Sequence, residues 1–248
     1  MRLFVLAAGK GKRMDTLTAD VPKCLVDLGD GSTLLGRLAS AVCAVGSIDE
    51  LVIIAGHKAG CVEEALTQMN LSIKTKVLYN PFYKITGPLV SLWLAYPWMV
   101  EVDFLVCNGD TYYSPQTLAR IAQADRGITI GIDSSASLGD DSMKVVLDEI
   151  GRLRQVSKEI RTEYANGVST GLLRVCSADM RRVFTTTVCR MLREDENTQP
   201  WIAWHSVLNH LVAQGVLVEV VELAPTDWHE IDTLNDLCDL RALILLGK

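Results

Sequence analysis

Residues 2–14 of the chain are RLFVLAAGKGKRM, an apolar run that passes directly into a glycine-rich loop. The run over residues 2–7 predicts a strand, and open α/β folds bind ligands where such strands leave the sheet. Gly9 and Gly11 allow the backbone to approach a phosphate chain closely. The loop supplies three positive charges, from Lys10, Lys12 and Arg13. The stretch therefore predicts a phosphate-binding loop, with an ordinary solvated βα turn as the alternative.

The first 110 residues alternate short apolar runs with segments of helical period, which is typical of βαβ units on a parallel sheet. The predicted strands are residues 2–7, 51–55, 74–79 and 104–107. Ser32 is predicted to cap a first helix that ends near Gly46, and residues 61–69 form a second. A further helix presents its apolar face through Leu89, Leu92, Trp93 and Tyr96.

The second half predicts closely spaced strands, as in hairpins added to the sheet. They cover residues 128–132, 143–147, 153–156 and 169–175, and helices at 201–214 and 234–246 bracket a strand at 217–223. There is no repeat and no linker rich in Pro, Gly or Ser. We expect one domain over residues 1–248, an α/β three-layer sandwich of Rossmann-like form with a mostly parallel sheet and added antiparallel strands.

Composition excludes several function classes. The chain has 24 Lys+Arg against 30 Asp+Glu, so it lacks the broad positive field that binds nucleic acid polymers. No apolar run approaches the roughly 20 residues of a membrane span. Seven cysteines without a CxxC pair, most of them among apolar neighbours, indicate reduced core thiols, and we expect a cytoplasmic protein. The oligomeric state stays open, a homo-oligomer included.

The common phosphate motifs do not fit the loop, because Met14 stands where the dinucleotide fingerprint needs a third glycine. The loop, followed by Val21-Pro22-Lys23-Cys24-Leu25, resembles the signature of the nucleotidyltransferase superfamily, which joins nucleoside triphosphates to phosphorylated acceptors. This resemblance implies that Arg13 holds the β- and γ-phosphates and that Lys23 binds the phosphates during transfer. It also implies a nucleotide-wrapping segment made of Leu6, Ala7, Ala8, Gly9, Lys10 and Gly11.

Carboxylates follow two apolar segments and are candidates to hold Mg²⁺, which prefers one or two carboxylates plus substrate phosphates. Asp110 follows a predicted strand, and Asp232 precedes the last helix. From these residues alone, Asp110 is equally a cap for a helix near Ser114, and Asp232 or Thr233 a cap for the last helix. The resemblance favours Asp110 and Asp232 as metal ligands, with Glu230 as an orienting or acceptor-side group.

Within the superfamily, the resemblance is closest to the bacterial choline-phosphate and phosphonate cytidylyltransferases. It implies that Lys158 meets the acceptor phosphate, with Lys144 as a weaker candidate. The segments at Asn80 and Ser91 resemble the closure of the nucleotide pocket, although Gly87-Pro88 departs from that pattern. The predicted nucleotide contacts outside the loop are Asn80, Ser91 and Asn108. Aromatic faces can cage a quaternary ammonium, so three tryptophans are candidates, although core positions are the commoner alternative: Trp201, Trp204 and Trp228.

The expected function is Mg²⁺-dependent transfer of a nucleoside monophosphate, with CMP from CTP favoured, to phosphocholine, 2-aminoethylphosphonate or a similar acceptor, with release of pyrophosphate. One alternative is a sugar-1-phosphate nucleotidyltransferase that makes an NDP-sugar, and another is a non-catalytic nucleotide-binding regulatory module. A hydrolase is more distant. Residues 167–171 match GxSxG, and Asp227 and His229 follow in order, but an apolar strand continues after Ser169 where a nucleophile elbow needs a helix.

Overall fold

The computed structural model describes residues 1–194 and 198–245. Within them, the strands are β1 Arg2–Ala7, β2 Glu50–Ala55, β3 Lys74–Tyr79, β4 Phe104–Asn108, β5 Thr111–Tyr113, β6 Ile128–Asp133, β7 Lys144–Leu147, β8 Leu153–Ser157, β9 Gly167–Val175, β10 Val218–Glu222 and β11 Trp228–Glu230. The helices are α1 Leu34–Val45, α2 Ala59–Met69, α3 Pro88–Leu94, α4 Tyr96–Met99, α5 Pro115–Ala122, α6 Ala178–Arg193, α7 Ser206–Ala213 and α8 Leu234–Leu245.

Nine strands form a single sheet in the order β10-β6-β9-β4-β1-β2-β3, with β7 and β8 added beside β9. The pairs β1/β2, β2/β3, β1/β4 and β6/β10 are parallel. Strand β9 runs antiparallel to β4 and to β6, and β7 pairs antiparallel with both β8 and β9. The fold class predicted from the sequence is therefore confirmed, including the antiparallel additions in the second half.

Helices cover both faces of this sheet, and the alternation of β1 shows how the sequence builds the layers. Phe4 joins the apolar cluster under α3, α6 and α7, whereas Leu3 and Val5 join the cluster under α1, α2 and α5. All three side chains are buried, and burying each contributes about 1.5–3 kcal/mol. A smaller cluster lies beneath α8, around Leu237 and Leu240.

Several helix boundaries differ from the predictions for local reasons. Thr33, not Ser32, caps α1, because the Thr33 hydroxyl accepts from the Gly36 N–H at 3.0 Å while Ser32 bonds to Asp30. The helix predicted through Leu89 and Tyr96 is two helices, α3 and α4, with a proline near the start of each. The helix predicted over 201–214 begins only at Ser206, after a run of turns.

Sequence patterns missed three elements. Helix α6 has buried Phe184, Val188 and Met191 at helical spacing, but it also carries threonines, which favour strands. Thr187 is buried within the helix, where its hydroxyl is satisfied by donating to the Val183 carbonyl at 2.9 Å. Strands β5 and β11 have three residues each and pair antiparallel, with Thr111 opposite Glu230. Strands this short carry too little periodicity to be predicted.

The described helices are all too short or too polar to cross a lipid bilayer. The seven cysteines are unpaired, as predicted; Cys24, Cys107 and Cys176 are buried, whereas Cys238 is exposed. The expectation of core thiols therefore holds for part of the set and fails at Cys238.

Candidate functional site

The glycine-rich loop and the end of β4 lie side by side at the carboxyl edge of the sheet. The Gly109 N–H donates to the Leu6 carbonyl at 2.9 Å. A Cβ at Gly109 would lie 2.7 Å from the Ala7 Cβ, so only glycine allows this approach. The cleft at this edge is lined by residues of the predicted nucleotide-wrapping segment, among them Leu6, Ala7, Gly9 and Gly11.

Lys23 is the central cation of the cleft. Its ammonium nitrogen lies 3.0 Å from Asp110 Oδ2 and 2.8 Å from Asp232 Oδ1. The Lys23 side chain is 11% exposed, and burial alone would lower its pKa, but the charges of the two carboxylates outweigh burial and raise it. Lys23 is therefore a largely buried cation held between two carboxylates. Asp110 is 87 residues away from it in sequence, and Asp232 is 209 residues away.

The short pair β5/β11 brings the carboxylates together. One oxygen each of Asp110, Glu230 and Asp232 lie within 4.8 Å of one another, and the Ile231 N–H donates to the Asp110 carbonyl at 2.9 Å. Desolvation by the cleft walls and then the charges of Asp110 and Asp232 raise the pKa of Glu230 to about 7, although Glu230 keeps exposed surface. The arrangement offers three oxygen donors to a hard cation.

Helix caps settle the alternative roles of these carboxylates. Ser114, not Asp110, caps α5, since its hydroxyl accepts from the Thr117 N–H at 3.1 Å. At α8, Thr233 and Asp236 form a reciprocal cap: Asp236 Oδ2 accepts from the Thr233 N–H at 2.7 Å and the Thr233 hydroxyl accepts from the Asp236 N–H at 3.3 Å. The side chain of Asp232 is thereby left to face Lys23.

A second group of charges, Arg13, Asp141 and Lys158, also lines the cleft. Arg13 contacts Asp232 Oδ2 at 2.9 Å and also pairs with Asp141, which in turn pairs with Lys158. Hydrogen bonds from Lys158 and Arg13 lower the pKa of Asp141. The site role of Asp141 is not predictable from the sequence, because a lone aspartate in a polar loop belongs to no recognisable pattern. Asp141 holds the two cations that the resemblance assigns to phosphate groups.

The predicted nucleotide-side residues divide into two kinds. Lys10 and Ser91 line a second pocket next to the loop, with Trp201 at its rim. Asn80 is fully buried instead: its amide donates to the Ser91 hydroxyl at 3.0 Å, and its side-chain oxygen accepts from the Phe82 N–H at 2.9 Å. The side chain of Asn80 therefore fixes the segment that frames the pocket and does not line it.

The predicted acceptor side is assembled only in part. Lys158, Trp201 and Glu230 line the same cleft as Arg13. Lys144 does not, since it is 3% exposed and its ammonium donates to the Lys158 carbonyl at 2.8 Å, where it supports the backbone of Lys158.

The three-tryptophan cage is not formed. Trp228 lies away from the cleft, and its indole N–H donates to Asp133 Oδ2 at 3.0 Å. Trp204 lines the cleft but is 1% exposed, with its indole N–H donated to Asn108 Oδ1 at 3.0 Å. Trp201 alone of the three is exposed. The candidate cage therefore fails at Trp228, and Trp204 takes the commoner alternative of a core position, where it fixes Asn108.

The GxSxG match forms no hydrolase triad. Ser169 lies inside the nine-residue strand β9, and its hydroxyl lies 3.0 Å from Nε2 of His205. His229 contacts the Asp236 carbonyl at 2.9 Å instead. Burial, and then the positive charge of Lys158, lower the pKa of His205 to about 3, so this imidazole is neutral. A base that stays neutral in this way is a poor acceptor for a serine proton.

A glycine-rich loop, buried and exposed cations and a carboxylate cluster at the edge of a mostly parallel sheet define the nucleotidyltransferase class. Residues 3–135, more than half of the chain, match the family described as the MobA-like NTP transferase domain. The chain belongs to that family, which confirms the superfamily named from the sequence.

Two curated relatives match nearly the whole chain. A bifunctional IPC transferase and DIPP synthase from Rubrobacter xylanophilus is 27% identical over 235 residues, 94% of this chain and 49% of the relative. A CMP-5'-(3-aminopropyl)phosphonate synthase from Streptomyces rubellomurinus is 24% identical over 242 residues, 95% of this chain and 37% of the relative. The chain thus spans about half, or less, of the length of these relatives.

Among solved structures, the inositol-1-phosphate CTP transferase from T. maritima superposes with a TM-score of 0.77 and 24% identity, covering 99% of this chain and 96% of that one. The likeness extends over the whole fold, including the antiparallel second half. It shows that the two chains share a fold, and the reaction of this chain depends on its own residues.

Proposed function

We propose that this chain is a cytidylyltransferase, which transfers CMP from CTP to a small phosphate or phosphonate acceptor and releases pyrophosphate. The observation that carries the proposal is Lys23 held between Asp110 and Asp232 beside the glycine-rich loop. The names of the relatives support the base and the acceptor class, because they describe CTP-dependent transfer and CMP-phosphonate synthesis. We also propose that residues 1–248 act as one domain, since β1 and β10 belong to the same sheet.

Each residue of the cleft has a role in this proposal that follows from its chemistry. Residues 8–11 wrap the nucleotide, and Arg13 binds the β- and γ-phosphates through its planar fork of donors. Lys23 stabilises charge at the phosphorus that is transferred, and Lys158 binds the acceptor phosphate. All three cations are bound to carboxylates in this structure, so phosphate oxygens replace carboxylate oxygens when substrates bind.

The residues present fit a magnesium ion. Asp110 and Asp232 offer hard oxygen ligands, and the Lys23 ammonium between them shows that the site already accommodates a cation. Asp110 and Asp232 would hold the ion, with Glu230 nearby to orient them. When bound, the ion would neutralise charge on the triphosphate and on the pyrophosphate leaving group.

The reaction needs no general base. The second pKa of a phosphate monoester is about 6, so the acceptor is largely a dianion at neutral pH. One acceptor oxygen forms a bond to the α-phosphorus, the bond from that phosphorus to the bridging oxygen breaks, and its electron pair leaves with pyrophosphate. The chain contributes alignment of the two phosphates and stabilisation of the charge that develops between them.

Pyrophosphate release, measured over a matrix of substrate combinations, tests this proposal. Four nucleoside triphosphates are combined with phosphocholine, aminophosphonates, hydroxyphosphonates, polyol phosphates and hexose-1-phosphates, with Mg²⁺ present. We expect turnover with CTP and a non-sugar phosphate or phosphonate. The variant Asp110→Asn should be inactive and fully folded, and Asp125→Asn, at an exposed site after α5, should match the wild type.

The same matrix separates the alternatives. Turnover confined to hexose-1-phosphates would show a sugar-1-phosphate nucleotidyltransferase. No pyrophosphate release in any combination would contradict catalysis and favour a nucleotide-binding regulatory module.

A further inference from the structure

One wall of the cleft carries a neutral hydrogen-bonding pair, Ser169 and His205. Both side chains are more than nine-tenths buried and both line the cleft. The Ser169 hydroxyl accepts from the Gly171 N–H at 3.1 Å and contacts His205 Nε2 at 3.0 Å. Gly171 has a φ of 73°, a left-handed conformation that turns its N–H toward Ser169. No role in phosphate binding or metal binding uses this pair.

Either tautomer of His205 leaves the pair with hydrogen-bonding capacity. If Ser169 donates to Nε2, the proton of His205 resides on Nδ1 and is a free donor. If Nε2 donates to Ser169, then Nδ1 is a free acceptor and the serine proton is a free donor. Within residues 1–194 and 198–245, Nδ1 has no hydrogen-bond partner. A hydroxyl group, which both donates and accepts, satisfies the pair in either tautomer.

A quaternary ammonium group cannot make either bond, and the residues in direct contact with the pair and with Lys158 do not favour one. The ring of His205 stacks on Trp204 with centroids 3.8 Å apart, and Trp204 is 1% exposed, so it offers no open face to a cation. Asp141, the carboxylate nearest Lys158, is already paired with two cations. Burial lowers the pKa of His205 to about 3, so the imidazole itself carries no charge that would attract an anion.

We infer that the acceptor carries an uncharged hydroxyl group close to its phosphate or phosphonate, and that the Ser169–His205 pair binds this hydroxyl. Among the non-sugar acceptors of the proposed function, the acceptor class is therefore a polyol phosphate or a hydroxyalkylphosphonate. The inference rests on the proposed function, because it concerns the second substrate of that reaction. It makes Ser169 and His205 specificity-determining residues, which act on acceptor choice and not on CTP.

Two matched acceptor series test the inference with the full chain, CTP and Mg²⁺. The first is ethyl phosphate, 2-hydroxyethyl phosphate, phosphoethanolamine and phosphocholine, which share a phosphate and a two-carbon spacer. The second is cyclohexyl phosphate and an inositol monophosphate, which share a ring. We expect kcat/KM for a hydroxylated acceptor to exceed that of its deoxy partner and of phosphocholine by about tenfold or more, since an unsatisfied polar pair rejects such analogues.

Variants at His205 connect that preference to the pair. His205→Phe keeps a ring next to Trp204 but removes both nitrogens, and should reduce the hydroxyl-to-deoxy ratio to within about twofold while the KM for CTP stays unchanged. His205→Gln places an amide near the position of Nε2 and should retain part of the ratio. His210→Phe, on helix α7, which begins directly after His205, lies outside the cleft and is the matched control. A ratio within one variant does not depend on how much of the protein is active.

The outcomes separate this inference from the proposed function. Turnover with phosphocholine or ethyl phosphate equal to that of the hydroxylated partners would overturn the inference and leave the cytidylyltransferase intact. An unchanged hydroxyl preference in His205→Phe would also overturn it. Silence with every acceptor in both series and in the wider matrix would contradict the proposed function itself.

Discussion

His205 should make the stability of the protein depend on pH, and the size of the effect follows from its burial. Its pKa is about 3 in the folded chain, against 6.5 for an unperturbed histidine. The folded state therefore binds fewer protons than the unfolded state between these values. Stability from this group is complete above pH 6.5 and is lost as the pH falls toward 3.

The magnitude between pH 7 and pH 5 depends mainly on the unfolded state. With an unfolded pKa of about 6.5, protonation of the unfolded chain lowers the free energy of unfolding by about 2 kcal/mol over this interval. The value holds as long as the folded pKa stays below about 4, so it does not depend on the depth of the shift. Glu230 acts in the opposite direction, because its raised pKa lets the folded state bind a proton more readily.

Urea unfolding at pH 7 and pH 5, without metal or nucleotide, measures the effect. His205→Gln removes the titrating group, so its free energy of unfolding should fall by about 2 kcal/mol less than that of the wild type. The contribution of Glu230 is common to both proteins and cancels in the difference.

Equal pH dependence in the wild type and in His205→Gln would refute the reasoning. It would mean that His205 takes up a proton as readily in the folded protein as in the unfolded one. In that case the wall formed with Ser169 would be charged near pH 5, and the argument for a neutral acceptor group would fail with it.

Three further predictions concern the charged groups of the cleft. Asp110→Asn should lower kcat by at least about a hundredfold with an unchanged thermal midpoint, and near-normal turnover would contradict its metal role. Lys23→Met should tighten Mg²⁺ binding in calorimetry, since a competing cation is gone, while turnover falls; weaker binding would count against a shared site. Asp141→Asn releases Arg13 and Lys158 and should lower KM for both substrates several-fold, whereas a raised KM would show that Asp141 positions the two cations.

Local sequence patterns were sufficient to predict the parallel half of the fold and the glycine-rich loop. The strand over Arg2–Ala7 was predicted at its observed bounds, because a buried central strand is a continuous apolar run that ends in glycine. Lys23 and Asp110 were both predicted as site residues, and the structure brings them within 3.0 Å. The resemblance to the nucleotidyltransferase superfamily carries this information, because from the residues alone Asp110 is equally a helix cap.

The site residues that the sequence did not predict depend on contacts between distant segments of the chain. Ser169 and His205 are 36 residues apart, and neither belongs to a pattern that indicates the other. Asp141 likewise has a role only in the folded chain, as an ion-pair partner in a loop. Trp204, a candidate for a cation cage from its sequence, is instead a buried ring stacked on His205. Lys144 was predicted at the acceptor side because lysines on paired strands look alike in sequence; its burial decides otherwise.

The central claim is that an acceptor oxygen attacks the α-phosphorus of CTP in this cleft. Phosphorus NMR of the reaction tests it directly. The reaction contains the full chain, CTP, Mg²⁺ and a polyol phosphate whose non-ester phosphate oxygens are heavy oxygen. The account predicts a CMP–acceptor diester of pyrophosphate type with the label in its bridging oxygen, unlabelled pyrophosphate in equal amount, and no product with Asp110→Asn. Label in pyrophosphate, or release of inorganic phosphate without a CMP-linked product, would contradict it.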